Sequence, residues 1–340
     1  MLVENRPVIG ITMGDPAGIG AEVTVKALSN KDYYRKAAPL VLGDAERIQQ
    51  SLKFVATPLK VREIGDVSEA KFEYGTIDVL RQQIPGIREV AYGQLSAVAG
   101  TAAVAYVLKA IELAQGHKID AVCTAPLNKE AIHLAGYKQY SGHTEIFADK
   151  TNTKDYAMML VVNGLHVIHV STHCSLRQAC DRATQARVQT VIGLARDVVW
   201  DYGLANPLIA VAGLNPHSGE NGAFGTEEIE HIIPAIEAAQ AEGVRIVGPV
   251  PPDSLFVRAL KGEYQVLIVM YHDQGHIPVK VIGFDKGVNT SIGMPVIRTS
   301  VDHGTAFEIA GKGIASSVSM EAALDLAIEL ALKRQQRQRL

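Results

Sequence analysis

The residues best suited to chemistry are concentrated in Met270–Lys280, which reads Met-Tyr-His-Asp-Gln-Gly-His-Ile-Pro-Val-Lys. An apolar run, Val266–Met270, leads into this segment and has the length of a buried parallel strand. Just beyond it, His272, Asp273 and Lys280 offer a metal ligand, a carboxylate and a cation, at the place where open α/β sheets bind ligands. A polar loop that closes the strand, with His272 capping a helix or facing solvent, would explain the same residues.

Two other histidines follow the same pattern. His173 comes after the apolar run Leu165–Val170, and His217 comes after Leu208–Val211, so both are predicted near strand ends. Together with His272 they suit a catalytic divalent metal, with Zn²⁺ the first choice and Mg²⁺, Co²⁺ or Mn²⁺ as alternatives. The sequence has neither a His-Glu-x-x-His motif nor paired cysteines, so this prediction rests on three separated histidines.

A second group of polar residues could hold an anion. Lys280, Asn289 and Arg298 supply two cations and an amide that would suit a phosphate or carboxylate, although surface ion pairs would also explain them. His143 and Thr144 follow two small residues and supply hydrogen-bond donors. They could instead mark a capped helix start, and both interpretations are compatible because a helix N-terminus attracts phosphate.

Two glycine-rich segments are candidates for ligand contact. Gly14–Glu22 follows the predicted strand Val8–Met13 and reads Gly-Asp-Pro-Ala-Gly-Ile-Gly-Ala-Glu, which does not match the dinucleotide fingerprint. It could present backbone N–H groups to an anion or serve only as a tight turn. Asp302–Ala315 begins as a polar loop and ends in a glycine-rich turn; a helix over Thr305–Ala310 capped by Gly311 is the alternative.

The elements that position these residues predict an α/β fold. Strands and helices alternate along most of the chain, which indicates a largely parallel sheet, and 340 residues favour two α/β domains. Asn163-Gly164 separates two apolar runs and predicts a hairpin, so part of the sheet is expected to be antiparallel. Long helices are predicted over Ala97–Ala114 and Arg182–Trp200.

Composition excludes several classes of protein. The chain is 47% hydrophobic and 20% charged with a formal net charge of -3, and no basic stripe supports nucleic-acid binding. The apolar runs are interrupted by charge or glycine, so no membrane association is expected. Met1–Pro7 lacks the apolar region of a signal peptide, and the three cysteines lack paired close spacing, so we expect a cytoplasmic protein.

Several of these segments resemble the PdxA family, the 4-hydroxythreonine-4-phosphate dehydrogenases, and the resemblance runs nearly from end to end. The Gly14–Glu22 turn and the loop from His303 to Ala315 also resemble parts of the isocitrate and isopropylmalate dehydrogenases, in which the second loop holds the adenosine part of NAD. The segments that carry the family resemblance are Gly14–Glu22, Gly142–Thr144, Leu214–His217, Tyr271–Gly275 and Ile297–Thr305.

The resemblance implies a fold of two α/β/α domains around a mixed sheet, with the active site in the interdomain cleft. We place the first domain at residues 1–130 plus 300–340, and the second at 131–299, which would carry the metal ligands and the dimer interface. The family is homodimeric with a shared active site, and His272 would be the metal ligand donated across the dimer.

The resemblance also implies individual roles. The metal ligands would be His173, His217 and His272. The contacts to a phosphorylated substrate would be His143, Thr144, Lys280, Asn289 and Arg298. The NAD-binding residues would be Asp302, His303, Gly304, Thr305 and Gly311. Candidates for the general acid–base are Lys280, Asp253 and Asp273.

Three segments look closer to a catabolic branch of the family: Ala125–Ala131, His169–His173 and Gly275–Pro278. The predicted reaction is NAD- and metal-dependent oxidation and β-decarboxylation of 4-phospho-D-threonate or 4-phospho-D-erythronate to dihydroxyacetone phosphate and CO₂. The first alternative is 4-hydroxythreonine-4-phosphate dehydrogenation in pyridoxal-phosphate biosynthesis. A metal-dependent hydrolase or isomerase without nicotinamide, and a non-catalytic sugar-phosphate-binding protein, are alternatives of other classes.

Overall fold

A computed structural model describes residues 6–338, so residues 1–5 of the N-terminal segment discussed above lie outside the description. The chain divides into two compact units. The first runs to Thr153 and resumes at Met294, and the second is Lys154–Gly293.

The first unit alternates strands and helices from its start. Its N-terminal elements are β1 (Val8–Thr12), α1 (Gly20–Leu28), α2 (Tyr33–Lys36), β2 (Ala38–Gly43), α3 (Ala45–Val55), β3 (Lys60–Ile64), β4 (Thr76–Arg81), α4 (Ala97–Gln115), β5 (Ala121–Thr124), α5 (Lys129–Leu134) and α6 (His143–Lys150). The second unit comprises β6 (Ala157–Val162), β7 (Leu165–His169), α7 (Leu176–Arg182), α8 (Gln185–Asp201), β8 (Ile209–Ala212), α9 (Ile233–Ala241), β9 (Ile246–Val250), α10 (Pro252–Leu260), β10 (Val266–Val269), α11 (His272–Gly283) and β11 (Val288–Ile292). The chain then returns to the first unit with β12 (Arg298–Ser300) and α12 (Val318–Arg337).

The sheet of the first unit is entirely parallel, with the order β3-β4-β2-β1-β5-β12. Its helices form two packed groups, α1 with α3 and α12, and α4 with α5 and α6. Ile9 and Ile11 on β1 are fully buried, as expected for a strand covered on both faces. By length and composition α4 could cross a membrane, but it lies mostly inside this unit and packs on α5 and β1.

Local sequence explains where several helices begin. The side chains of Asp44, Ser96 and Asn128 precede α3, α4 and α5, and each accepts a hydrogen bond from a backbone N–H of the first turn. Such caps satisfy N–H groups that have no partner within the helix. The predicted start of α4 at Ala97 is therefore confirmed.

The sheet of the second unit is mixed, with the order β11-β6-β7-β10-β8-β9. β6 pairs antiparallel with β7 and β11, whereas β7, β10, β8 and β9 run parallel. The predicted hairpin is confirmed, and its turn residues Asn163 and Gly164 have φ of 48° and 79°. The α/β class with both parallel and antiparallel pairing is also confirmed.

Three features differ from the sequence prediction. The helix predicted over Arg182–Trp200 is confirmed as α8 but begins later, at Gln185, because Thr184 caps it, and Arg182 ends the separate helix α7. The polar loop considered as an alternative after β10 is instead helix α11, which contains Pro278. Residues 131–153 and 294–299, assigned to the second domain from the sequence, lie in the first unit because α6 packs on α4 and β12 pairs with β5.

Candidate functional site

Three adjacent strands of the second unit, β7, β10 and β8, end at the same edge of the sheet because they are parallel. The segments that leave them carry His173, His272 and His217, the three histidines singled out in the sequence. The edge is therefore the one at which open α/β sheets bind ligands.

Buried hydrogen bonds tie the three strand ends together. The Ser171 hydroxyl donates to the carbonyl of Met270 at 2.9 Å. The Met270 N–H donates to the Gln274 side-chain oxygen at 2.6 Å, and the Gln274 side-chain nitrogen donates to the carbonyl of Gly213 at 2.7 Å. Gln274 is a residue that sequence analysis missed, since nothing in its pattern indicates burial. It fixes the chain that leaves β8 against the chain that leaves β10.

His217 lies on an unusual turn. The five residues from His217 to Asn221 all have left-handed backbone angles, with φ between 44° and 80°. For residues other than glycine this conformation costs roughly 1–2 kcal/mol each. Such a run indicates that the surroundings hold the turn in place, and its result is an exposed His217 imidazole beyond the end of β8. The asparagine- and glycine-rich sequence of the turn is the signal that could have predicted positive φ.

His272 is the first residue of α11, and its ring is held from two sides. Nδ1 lies 2.7 Å from the Asp273 carboxylate, which leaves Nε2 as the ring nitrogen available to a ligand. The His276 ring stacks on it with centroids 3.6 Å apart. Asp273, one of the three acid–base candidates, therefore orients the His272 ring in this structure.

The structure brings two of the three predicted metal ligands close together. The ring centroids of His173 and His272 are 5.9 Å apart. The His217 ring instead lies beside the Phe224 ring, with their centroids 6.3 Å apart. Within residues 6–338 of one chain, no three His, Cys, Asp or Glu side chains form a metal-binding group. The donor set nevertheless fits a divalent ion, because the imidazoles lie at one sheet edge and His272 has the carboxylate partner that metal-bound histidines need. Completion of the site across a dimer stays a prediction.

Two more histidines extend this cluster into the core. His169 at the end of β7 is buried, and its ring lies 4.8 Å from that of His276. Burial, reinforced by the neighbouring His276, lowers the pKa of His169 to about 3. His169 is therefore a neutral, structural imidazole, whereas His276 contacts a predicted metal ligand directly.

The first unit contains a separate group of predicted substrate residues. Arg298 on β12 is 3% exposed, and its Nη2 and Nε donate to the Thr124 hydroxyl at 3.0 and 3.2 Å. Burial lowers the pKa of Arg298 to about 10, so the guanidinium stays charged at neutral pH. His143 begins α6, and burial, reinforced by Arg298, holds its pKa well below the usual value. Its Nε2 has no hydrogen-bond partner in the described part of the chain.

The arrangement in the first unit can bind an anion. His143 and the half-buried Thr144 sit at the N-terminus of α6, where the helix dipole favours negative charge. A neutral imidazole donor and a buried guanidinium complete a group suited to phosphate or carboxylate.

The remaining predicted polar residues lie in the second unit. Lys280 is on α11 with its Nζ 5.1 Å above the ring of Phe284, and Asn289 is on β11, where its side-chain amide contacts the sulfur of Met158 at 3.1 Å. Asp253 lies exposed in the first turn of α10.

The two glycine-rich segments of the first unit pack against each other. The Ile19 N–H donates to the Thr305 carbonyl at 3.1 Å, and a Cβ on Gly18 would lie 2.9 Å from that residue. The buried Glu22 carboxylate accepts from the N–H groups of Gly313 and Ala315. The resemblance links the second segment to NAD, and the exposed His303 and Gly304 lie at the start of this segment. The helix over Thr305–Ala310 that was the alternative for the second segment is only a single short turn, Phe307–Ile309.

Comparison with known proteins agrees with this architecture. The family model described as "Pyridoxal phosphate biosynthetic protein PdxA" matches residues 35–327. D-threonate 4-phosphate dehydrogenase of Cupriavidus necator is 51% identical over 330 residues, which cover 96% of this chain and 98% of that protein.

Solved structures give the same result. The structure of a 4-hydroxythreonine-4-phosphate dehydrogenase from Burkholderia phymatum is 50% identical with a TM-score of 0.83, covering 96% of this chain and 99% of that one. The corresponding Klebsiella pneumoniae structure is 45% identical with a TM-score of 0.87, covering 96% and 98%.

The fold and the relatives define an oxidoreductase that acts on CH–OH groups. Within that class, the chain belongs to the PdxA family.

Proposed function

We propose that this protein is an NAD- and divalent-metal-dependent dehydrogenase that oxidises the C3 hydroxyl of D-threonate 4-phosphate or D-erythronate 4-phosphate. Loss of CO₂ from the β-keto acid then gives dihydroxyacetone phosphate. The observation that carries the proposal is the 51% identity over 330 residues to a relative whose name states the first of these substrates.

The charged ends of the substrate are assigned to residues of matching chemistry. Arg298 is a cation at neutral pH and His143 a neutral donor, so this pair suits a phosphate or carboxylate without self-repulsion. Thr144 lies in the first turn of α6, where the helix N-terminus favours the negative charge of the substrate. Lys280 and Asn289 are assigned as further substrate contacts.

Proton transfer and the cofactors complete the proposal. Because Asp273 orients His272, Lys280 and Asp253 are the residues assigned to take the hydroxyl proton. When bound by His173, His217 and His272, a divalent ion, with Zn²⁺ preferred, would supply Lewis-acid polarisation of the substrate oxygens. NAD⁺ would accept the hydride, and Asp302, His303, Gly304, Thr305 and Gly311 are assigned to hold it.

The proposed assembly is a homodimer in the cytoplasm that shares its active sites, with His272 reaching the partner's site. Support for the dimer comes from exposed apolar side chains on α11, the helix that begins with His272. The three cysteines are free, which agrees with a reducing compartment.

The test is oxidation of D-threonate 4-phosphate, D-erythronate 4-phosphate and 4-phosphohydroxy-L-threonine, followed by the absorbance of reduced nicotinamide. His217→Asn should lower kcat/KM by more than roughly 100-fold because a ligand is lost. His117→Asn is the matched control, since both histidines are exposed with φ of 52° and 54° and asparagine tolerates this conformation. Full activity after exhaustive chelation would contradict the proposal.

A second candidate is 4-hydroxythreonine-4-phosphate dehydrogenation, favoured by the names of the structures at 45% and 50% identity. The same substrate panel separates the two functions. A preference of at least tenfold in kcat/KM for 4-phosphohydroxy-L-threonine over both phosphorylated sugar acids would establish the second.

A further inference from the structure

A buried carboxylate lies beneath the turn that carries His217. Glu228 is 2% exposed and lies after His217 in the chain, as the first residue of a short π-helical segment, Glu228–Ile232. Its Oε1 accepts hydrogen bonds from the N–H groups of Leu214 and Asn215, both at 2.7 Å. Its Oε2 accepts from the side-chain amide of Asn215 at 2.9 Å. Nothing in the sequence pattern around Glu228 predicted this role.

The same carboxylate also meets the far side of the turn. At Gly219, where φ is +80°, a Cβ would lie 2.7 Å from the Glu228 Oε2. At Gly213, a Cβ would lie 2.6 Å from the Ser218 hydroxyl, so the turn folds back onto its own start. Glu228 thus fixes the residues before the turn and closely contacts its middle, with His217 between these two points.

We propose that Glu228 is the positioning residue that sets the His217 imidazole for metal binding. A left-handed run in which four of the five residues are not glycine is intrinsically unfavourable, so external contacts must hold it. The Glu228 carboxylate supplies such contacts through two backbone N–H groups and one side-chain amide. The inference rests on the proposed function for the role of His217 as a ligand, and it adds the residue that determines how this ligand is presented.

The test compares Glu228→Gln with Glu227→Gln. Both glutamates accept a hydrogen bond from the Asn215 amide, at 2.9 and 2.7 Å, but only Glu228 also binds the two backbone N–H groups. A glutamine at 228 directs an NH₂ group at the Asn215 amide and weakens the acceptor for the backbone. We expect Zn²⁺ affinity, measured by competition with a chromophoric chelator, to fall roughly 10–100-fold in Glu228→Gln and less than about twofold in Glu227→Gln.

A second readout separates positioning from general loss of structure. The visible absorption of the Co²⁺-substituted protein reports ligand geometry, and we expect it to change in Glu228→Gln at temperatures well below thermal unfolding. Gly219→Ala is the second variant, because its Cβ would press on the same carboxylate oxygen from the opposite side. It should weaken Zn²⁺ binding in the same direction, and unchanged Zn²⁺ affinity in this variant would overturn the inference if Glu228→Gln fails to fold.

Unchanged Zn²⁺ affinity and an unchanged Co²⁺ spectrum in a folded Glu228→Gln protein would overturn the inference. Equal losses of Zn²⁺ affinity in the two glutamine variants would also overturn it, as would a wild-type protein that binds neither Zn²⁺ nor Co²⁺. These measurements need no substrate and no NAD⁺. A wild-type protein that oxidises D-threonate 4-phosphate but binds metal independently of Glu228 defeats this inference alone. Glu228-dependent metal binding without oxidation of any substrate in the panel defeats the proposed reaction alone.

Discussion

Buried ionisable side chains in this protein differ in how well they are compensated. The Glu22 carboxylate accepts hydrogen bonds from two backbone N–H groups, and its Oε1 lies 2.8 Å from Lys26 Nζ in an ion pair. Asp15, in the glycine-rich turn after β1, is fully buried, and its Oδ1 accepts from the Ala17 N–H at 2.8 Å. Its Oδ2 has no hydrogen-bond partner among the residues described. Burial therefore raises the pKa of Asp15 to about 6, although the Ala17 N–H and Arg47 act in the opposite direction.

The pKa of Asp15 predicts a pH-dependent contribution to stability. Because the folded-state pKa lies above the unfolded value of 3.8, its contribution is complete below about pH 4 and is lost as the pH rises through about 6. Asp15→Asn removes this pH-dependent contribution to stability. Relative to wild type, the variant should gain up to about 3 kcal/mol in unfolding free energy between about pH 4 and pH 7.

Urea denaturation at both pH values measures this difference. Asp181→Asn, on the exposed surface of α7, is the control and should show no comparable gain. A constant difference between wild type and Asp15→Asn across the range would show that Asp15 titrates normally.

At the scale of elements, close helix packing depends on a single missing side chain. Gly100 in α4 faces α5, and a Cβ at this position would lie 2.1 Å from the carbonyl oxygen of Ala131. No real Cβ approaches backbone so closely, so the two helices would have to separate. By contrast, Gly193 in α8 has no atom within 4 Å of the position that a Cβ would take.

The two glycines therefore predict opposite outcomes for the same substitution. Alanine gains up to about 1 kcal/mol of helix propensity at either site. At Gly100 overpacking costs about 1–3 kcal/mol or more and should exceed that gain, so Gly100→Ala destabilises the protein. Gly193→Ala should stabilise it by up to about 1 kcal/mol. Chemical denaturation measures both, and shifts of the same sign would contradict the packing explanation.

At the scale of the whole molecule, one helix exposes an apolar stripe. Ile277, Val281 and Phe284, spaced four and three residues apart along α11 and its end, are 59%, 83% and 70% exposed. This spacing places them on one side of the helix. Contiguous exposed apolar side chains are typical of protein interfaces. The stripe supports the proposed homodimer, since α11 also begins with His272.

If the proposed homodimer forms through this stripe, Val281→Asp should convert it into monomers, because a desolvated carboxylate in an apolar interface has no partner there. Light scattering coupled to size-exclusion chromatography gives the mass directly. Val257→Asp on α10 is the control, since Val257 is also exposed, at 53%, but lies off the stripe. Wild-type protein that is monomeric at every concentration tested, or a Val281→Asp protein that stays dimeric, would exclude this interface.

The amino-acid sequence by itself determined the α/β class, the hairpin at Asn163-Gly164, the start of α4 at Ala97 and the family of the protein. These follow from local patterns and from motifs that stay contiguous along the chain. The tertiary structure decided what local patterns do not encode. It placed Gln274 and Glu228 in buried networks, it assigned residues 131–153 to the first unit, and it set Asp273 against His272. Burial, hydrogen-bond partners and backbone strain arise from segments distant in sequence, and only the folded chain brings those segments together.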